Sequence, residues 1–293
     1  MGACASSQSV APSKKKNFPA KIVVVRHGQS RGNVDQSEYS RIPDWKVELT
    51  EKGKEQARST ASQLKTILES MGGQAKLFVY CSPYMRCKQT LSEMLDAMGV
   101  DTSSIIIREE PRIREQDFGN FQDPHAMDQC KELRAQYGRF FYRFPDGESG
   151  ADVYDRVSTW LESFYREIEH GGNVDENTVV LLCTHGLTGR LFLMRWFHWT
   201  VEQFEATINP PNAQLLVMDG GVDGRSPRAG RYELTQGSCA AIGMESQPVG
   251  RNSIFRNGLP PQPKEQQTEA LNGENNRPPP ATADRAPQGG LTS

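Results

Sequence analysis

No stretch of this 293-residue chain approaches the ~18 consecutive apolar residues that a membrane-spanning helix requires. Its five histidines and six cysteines avoid the spacings of familiar metal sites. There is no Cys-x-x-Cys pair and no His-Glu-x-x-His, which sets aside structural zinc and the zinc-protease arrangement. An excess of one charge is missing too: a formal net charge of −2 offers no broad attraction to nucleic acid or to anionic membrane. No secretory apolar segment opens the chain, so a soluble, intracellular body with reduced thiols is expected. No period of solenoid length repeats.

Against these absences stand two apolar runs, each ending in a His-Gly pair. Ile22-Val23-Val24-Val25 leads into Arg26-His27-Gly28-Gln29-Ser30, and Val179-Val180-Leu181-Leu182-Cys183 leads into Thr184-His185-Gly186. A continuous β-branched run reads as a parallel strand buried on both faces. Open α/β sheets bind ligands just beyond the carboxyl ends of such strands. His27 and His185 therefore fall where a site belongs, each beside a glycine that lets backbone approach a ligand.

Further strand-like runs are 77–81, 104–108, 214–218 and 231–234, with the last two expected to form a hairpin at the sheet edge. Between the strands lie helical patterns. Thr50 caps one that reaches about Glu69, and Ser149 caps another that reaches about Ile168. Ser82 followed by Pro83 reads as a helix start, with the serine as N-cap. Thr200-Val201-Glu202-Gln203 fits a capping box. Strands alternating with helices imply a three-layer α/β/α sandwich around a mostly parallel sheet. From Gln236 to Ser293 the chain is rich in Gln, Asn, Pro and Gly. Too little apolar surface remains there to offset an ordering cost of ~1–2 kcal/mol per residue. The expected organisation is a 1–20 linker, a 21–235 domain and a disordered 236–293 tail.

The ordered motifs resemble those of the histidine phosphatase superfamily, in its phosphoglycerate mutase-like branch. The resemblance rests on Arg26-His27-Gly28-Gln29-Ser30-Arg31-Gly32-Asn33, on Leu49-Thr50-Glu51-Lys52-Gly53, on Ser82-Pro83-Tyr84-Met85-Arg86, on Glu115-Gln116-Asp117-Phe118-Gly119 and on Thr184-His185-Gly186. It implies a metal-independent phosphatase that needs no cofactor, with a small helical cap over the site. In that reading His27 attacks phosphorus, Glu115 is the proton donor (Asp117 its competitor), and His185 donates to a phosphoryl oxygen. Arg26, Arg86, Asn33, Gly186 and the amides after Gly28 would bind the phosphoryl group. The partner is a phosphorylated small molecule or phosphoprotein, not nucleic acid.

Two alternatives accompany this reading: a mutase-type phosphotransferase, and a membrane-tethered interaction protein with little catalysis. The residues after Glu115 depart from the mutase form of that motif, and no extended mutase insertion is present, which favours hydrolysis. In the cap segment 131–144, Arg139 and Arg143 are candidates for reading a second phosphate.

Met1-Gly2-Ala3-Cys4-Ala5-Ser6 fits an acylation signal, with Gly2 the myristoyl site and Cys4 a palmitoyl site beside it. Lys14, Lys15 and Lys16 add attraction to anionic lipid of ~1 kcal/mol per charge. One acyl chain holds weakly, whereas two anchor stably. The expected location is the cytosolic face of a membrane. Gly2→Ala should release the protein from membranes in cell fractionation, and a wild-type chain found wholly in the soluble fraction would refute the assignment.

Overall fold

The computed structural model describes residues 18–119, 124–221 and 232–248, and the side chains of Pro124, His125 and Gly171 are not described. Gly2, Cys4, the lysine cluster and the tail beyond 248 therefore lie outside the described residues. In chain order the elements are β1 (Lys21–Arg26), α1 (Arg31–Val34), α2 (Glu38–Arg41), α3 (Glu51–Glu69), β2 (Lys76–Cys81), α4 (Met85–Met98) and β3 (Ile106–Glu109). They continue with α5 (Pro124–Tyr137), α6 (Gly150–Arg166), β4 (Thr178–Thr184), α7 (Gly186–Phe197), α8 (Val201–Glu205), β5 (Leu215–Asp219), β6 (Glu233–Leu234) and α9 (Gln236–Ala241). No described helix is long and apolar enough to cross a membrane.

The sheet runs in the order β3-β2-β4-β1-β5-β6. Its first four strands are mutually parallel, and β5 and β6 close the edge as the expected antiparallel hairpin. Because side chains alternate across a strand, each central strand feeds two cores. Ile22, Val24, Phe78, Tyr80, Val180 and Leu182 face one layer, where Trp160 and Phe164 of α6 meet Leu191 and Phe192 of α7. Val23, Val25, Val79, Leu181 and Cys183 face the other, where Ala57, Ala61 and Leu64 of α3 meet Leu91 and Met94 of α4. That two-sided burial is why the strands read as unbroken apolar runs. Trp196, Trp199 and Phe204 are buried in the first core.

Local signals set several helix starts. The Thr50 side chain accepts from the Gly53 amide, Ser149 forms a reciprocal capping box with Asp152, and Thr200 does so with Gln203. The Ser82 expectation fails: α4 begins two residues later, with Tyr84 at the N-cap and no side-chain cap bond. Ser82 still pairs with the sheet, its amide bonding the Cys183 carbonyl at 2.9 Å, and its hydroxyl is used elsewhere.

The ordered chain also continues past the expected boundary at 235. The Thr235 side chain caps α9 by accepting from the Ser238 amide, and the Ser238 hydroxyl accepts from the Val217 amide of β5 at 2.7 Å. Cys239 and Ile242 bury themselves in the first core. A polar average over 236–293 hid three well-placed side chains. Replacing the fully buried Ile242 with Ala should therefore cost about 2–5 kcal/mol, read from the midpoint of urea unfolding. A tail beginning at 236 would show no change.

Candidate active site

The pairing of β1 with β4 builds the centre of the site. Arg26 stands opposite Thr184 in a parallel register, and the next amide, that of His27, bonds the Thr184 carbonyl at 3.0 Å. His27 and His185 thus leave neighbouring strands side by side. Their rings are buried, with centroids 5.3 Å apart and planes inclined by 63°. β2 delivers Ser82 to the same end, and its hydroxyl lies 2.8 Å from His185 Nε2.

His27 Nδ1 lies 2.7 Å from the Gly28 carbonyl. A carbonyl only accepts, so Nδ1 carries the proton and the lone pair is on Nε2. Burial, helped by the Arg86 and Arg26 cations, pushes the His27 pKa well below the ordinary histidine value. Burial and Arg86 do the same to His185. Both imidazoles are thereby biased to the neutral form.

The cations are fixed by the protein. Arg86, in the first turn of α4, is buried and donates through Nη1 to the Asp44 carboxylate at 2.7 Å and the Asp44 carbonyl at 2.8 Å. Burial works against its charge, but Asp44 and Tyr39 outweigh that and raise its pKa. The guanidinium also lies 4.8 Å from the Tyr84 ring centroid. Glu93, the acid nearest along the helix, instead pairs with Arg58 at 2.5 Å. Arg26 donates to the Pro210 carbonyl at 2.7 Å. The Nε atoms of Arg26 and Arg86 and the Nδ1 of His185 are buried with no protein partner. Buried donors left without a partner cost about 1–3 kcal/mol each, and both of these arginines act electrostatically on the two histidines.

Among the acids near Glu115, geometry separates the candidates. Glu109 pairs with Lys88 and Glu110 with Arg112. Asp117 is exposed, and its carboxylate accepts from the Gly119 amide in a local turn. Glu115 is half-buried, with Oε1 accepting from the Gln116 amide at 3.0 Å and the Thr188 hydroxyl at 3.2 Å. Its charge acts on Arg26. Glu115, rather than Asp117, faces the basic pocket.

The expected amide cradle after Gly28 is overturned. The Gly28 amide donates to Thr90, that of Gln29 to Gln56, and that of Ser30 to the Asn33 side chain. The Arg31 amide bonds the Glu48 carbonyl. Those donors hold the loop itself. Gly28 is needed because a Cβ there would lie 2.4 Å from the Gly53 carbonyl oxygen of α3. Asn33 is exposed, and its Oδ1 accepts from Ser30 and from Asn212, so its amide nitrogen is the end left for a ligand. Gly186 opens α7, whose first-turn amides point outward from the helix end.

The cap differs from expectation as well. Arg143 is exposed and pairs with Asp152 at 2.6 Å. Arg139 approaches Glu205 at 3.8 Å. Arg190, which the sequence reading passed over, is fully buried and donates to Thr207, with its pKa lowered to about 10 chiefly by burial. Arg134, Arg139, Glu115 and Glu205 all act on Arg190. Among the described residues, no group of three or more His, Cys, Asp or Glu could hold a metal ion.

The family model for the histidine phosphatase superfamily (branch 1) matches residues 22–229. A phosphoglycerate mutase-like protein of Arabidopsis thaliana is 44% identical over 220 residues, covering 72% of this chain and 78% of its own. A broad-range acid phosphatase of Saccharomyces cerevisiae is 30% identical over 285 residues, covering 69% of this chain and 85% of its own. A solved mycobacterial glucosyl-3-phosphoglycerate phosphatase, complexed with VO3, is 25% identical with a TM-score of 0.53, covering 73% of this chain and 97% of that one.

The lowered pKa values set a pH dependence of stability. The unfolded chain protonates both histidines near pH ~6.5, whereas the folded chain keeps them neutral. Their contribution is complete above that pH and is lost as pH falls below it, by up to about 2.7 kcal/mol per unit for two groups. The urea midpoint should drop between pH 6.5 and 5, above the carboxylate range. A His27→Asn, His185→Asn double variant should flatten that slope, and an equally steep slope in the variant would refute the assignment.

Proposed function

This chain belongs to branch 1 of the histidine phosphatase superfamily, and we propose that it hydrolyses phosphate monoesters through a phosphohistidine on His27, without a metal. The observation that carries this reading is the pair of buried imidazoles with centroids 5.3 Å apart, under the charge of Arg26 and Arg86, with Arg26 Nε, Arg86 Nε and His185 Nδ1 lacking a protein partner. The His27 Nε2 lone pair attacks phosphorus, and the bond to the leaving oxygen breaks in line. Arg26, Arg86 and His185 meet the negative charge that spreads over the equatorial oxygens. Glu115 gives its proton to the leaving oxygen. Then, as a carboxylate, it takes one from the water that attacks the phosphohistidine, releasing inorganic phosphate and neutral His27.

Hydrolysis is favoured over mutase transfer by the residues that follow Glu115 and by the absence of extended mutase insertions. The names of the two relatives cited point both ways, one mutase-like and one an acid phosphatase. The lowered pKa of His27 keeps the nucleophile unprotonated in mildly acidic solution, so turnover should persist there.

Rapid quenching under alkaline conditions should trap an acid-labile phosphoenzyme in the wild type and none in His27→Ala. Glu115→Gln should still form it, slowing poor leaving groups far more than activated aryl phosphates. Phosphate should be released to water whether or not a bisphosphorylated sugar acid is present. Full turnover by His27→Ala would falsify the mechanism, and transfer between positions of one sugar acid without release would favour the mutase.

A further inference from the structure

We propose that Ser82 is a positioning residue that fixes His185 as its Nδ1–H tautomer and so aims an N–H donor at the phosphoryl group. This rests on the phosphoryl-transfer reading above. Ser82 and His185 are both buried, with Oγ 2.8 Å from Nε2. The contact is set by the sheet. Cys81 stands opposite Cys183 in the β2–β4 register, and the Ser82 amide bonds the Cys183 carbonyl at 2.9 Å. The hydroxyl is therefore held beside the imidazole that follows Thr184.

A neutral imidazole has one proton, and which nitrogen carries it follows from the partner of the other. The Ser82 oxygen already faces the Tyr84 amide, a donor, at 3.4 Å. Its own proton is then free to point at His185 Nε2. Cys87 Sγ also lies 3.5 Å from Nε2, but its single S–H is directed to the Thr184 carbonyl at 3.5 Å, so the Ser82 hydroxyl is the donor that Nε2 meets. A hydroxyl donating to Nε2 places the imidazole proton on Nδ1, the atom that is buried without a protein partner.

The opposite tautomer would turn an Nδ1 lone pair toward phosphoryl oxygens and set acceptor against acceptor. His27 provides the complement. Its Nδ1–H is engaged by the Gly28 carbonyl, so it presents a lone pair. The two histidines share one tautomer and use it from opposite ends, one to attack and one to donate. A capping role for Ser82 explains less, because α4 has Tyr84 at its N-cap and no side-chain cap bond.

The test is nitrogen-15 NMR of the imidazoles in the full chain, with kinetics on Ser82→Ala and Ser82→Thr. In the wild type His185 should show the proton on Nδ1, and in Ser82→Ala it should move to Nε2. The Ser82→Ala kcat should fall about 10–100-fold, the scale seen when a partner that sets a histidine tautomer is removed. KM should change little, and vanadate affinity should fall with kcat/KM. Ser82→Thr, which keeps the hydroxyl, should recover both tautomer and rate.

A wild-type His185 carrying its proton on Nε2 overturns the proposal, and that spectrum needs no variant to fold. Unchanged kcat in Ser82→Ala, or a loss of rate with the tautomer intact, overturns it too. A wild-type chain that shows the Nδ1–H form but turns over no phosphate monoester would instead refute the phosphatase reading.

Discussion

The in-register parallel pairing of β1 with β4 is the constraint on which the rest of the site depends. It sets Arg26 against Thr184 and bonds the His27 amide to the Thr184 carbonyl, so two residues far apart in sequence emerge at one point. A slip of one residue would turn every β1 side chain to the other layer, exchanging Ile22 and Val24 with Val23 and Val25 and moving His27 away from His185. Register is held because both faces are filled. α6 and α7 cover one and α3 and α4 the other. The precision of the catalytic pair is thus inherited from the hydrophobic core.

A pocket built this way gathers positive charge in a poorly solvated place, and the protein contains that cost by several routes. Arg86 has Asp44 as a permanent counter-ion through one nitrogen, which leaves other donors of the same planar group for a ligand. Both histidines are kept neutral by burial and by the arginines themselves, so the cluster carries two fixed cations rather than four. The loop after His27 does not add its amides to the pocket. They brace the loop against α3 and α4 through Gln56 and Thr90, so binding falls to side chains on rigid elements.

How much of this was legible in the sequence depends on the range of the interaction. The strands were legible because two-sided burial writes an unbroken apolar run, and His27 and His185 followed from their place at strand ends. Arg26, Arg86 and Glu115 came through resemblance, and the fold brings them to the histidines. Ser82 was misread because Ser-Pro before a helix is the local signature of a cap, whereas its hydroxyl answers to a residue 103 positions away. Asp44 was missed for the same reason, lying 42 positions from Arg86. α9 was lost in a polar average, though Thr235, Ser238 and Ile242 had the residue types of a cap, a strand contact and a core plug.

Those long-range contacts explain why the site holds its donors ready. Arg26 Nε, Arg86 Nε and His185 Nδ1 remain buried without protein partners, a condition that destabilises a folded chain unless surrounding structure imposes it. The imposing structure is visible for each: the Pro210 carbonyl for Arg26, Asp44 for Arg86, and Ser82 for His185. Each partner engages one nitrogen of its group and leaves another buried without a protein partner. Because the donors are oriented before any anion arrives, little reorganisation remains at the moment charge develops on a transferring phosphoryl group. On the proposed mechanism, stability given up in the resting protein becomes transition-state stabilisation, and the core formed by β1, β2 and β4 is what sustains that loss.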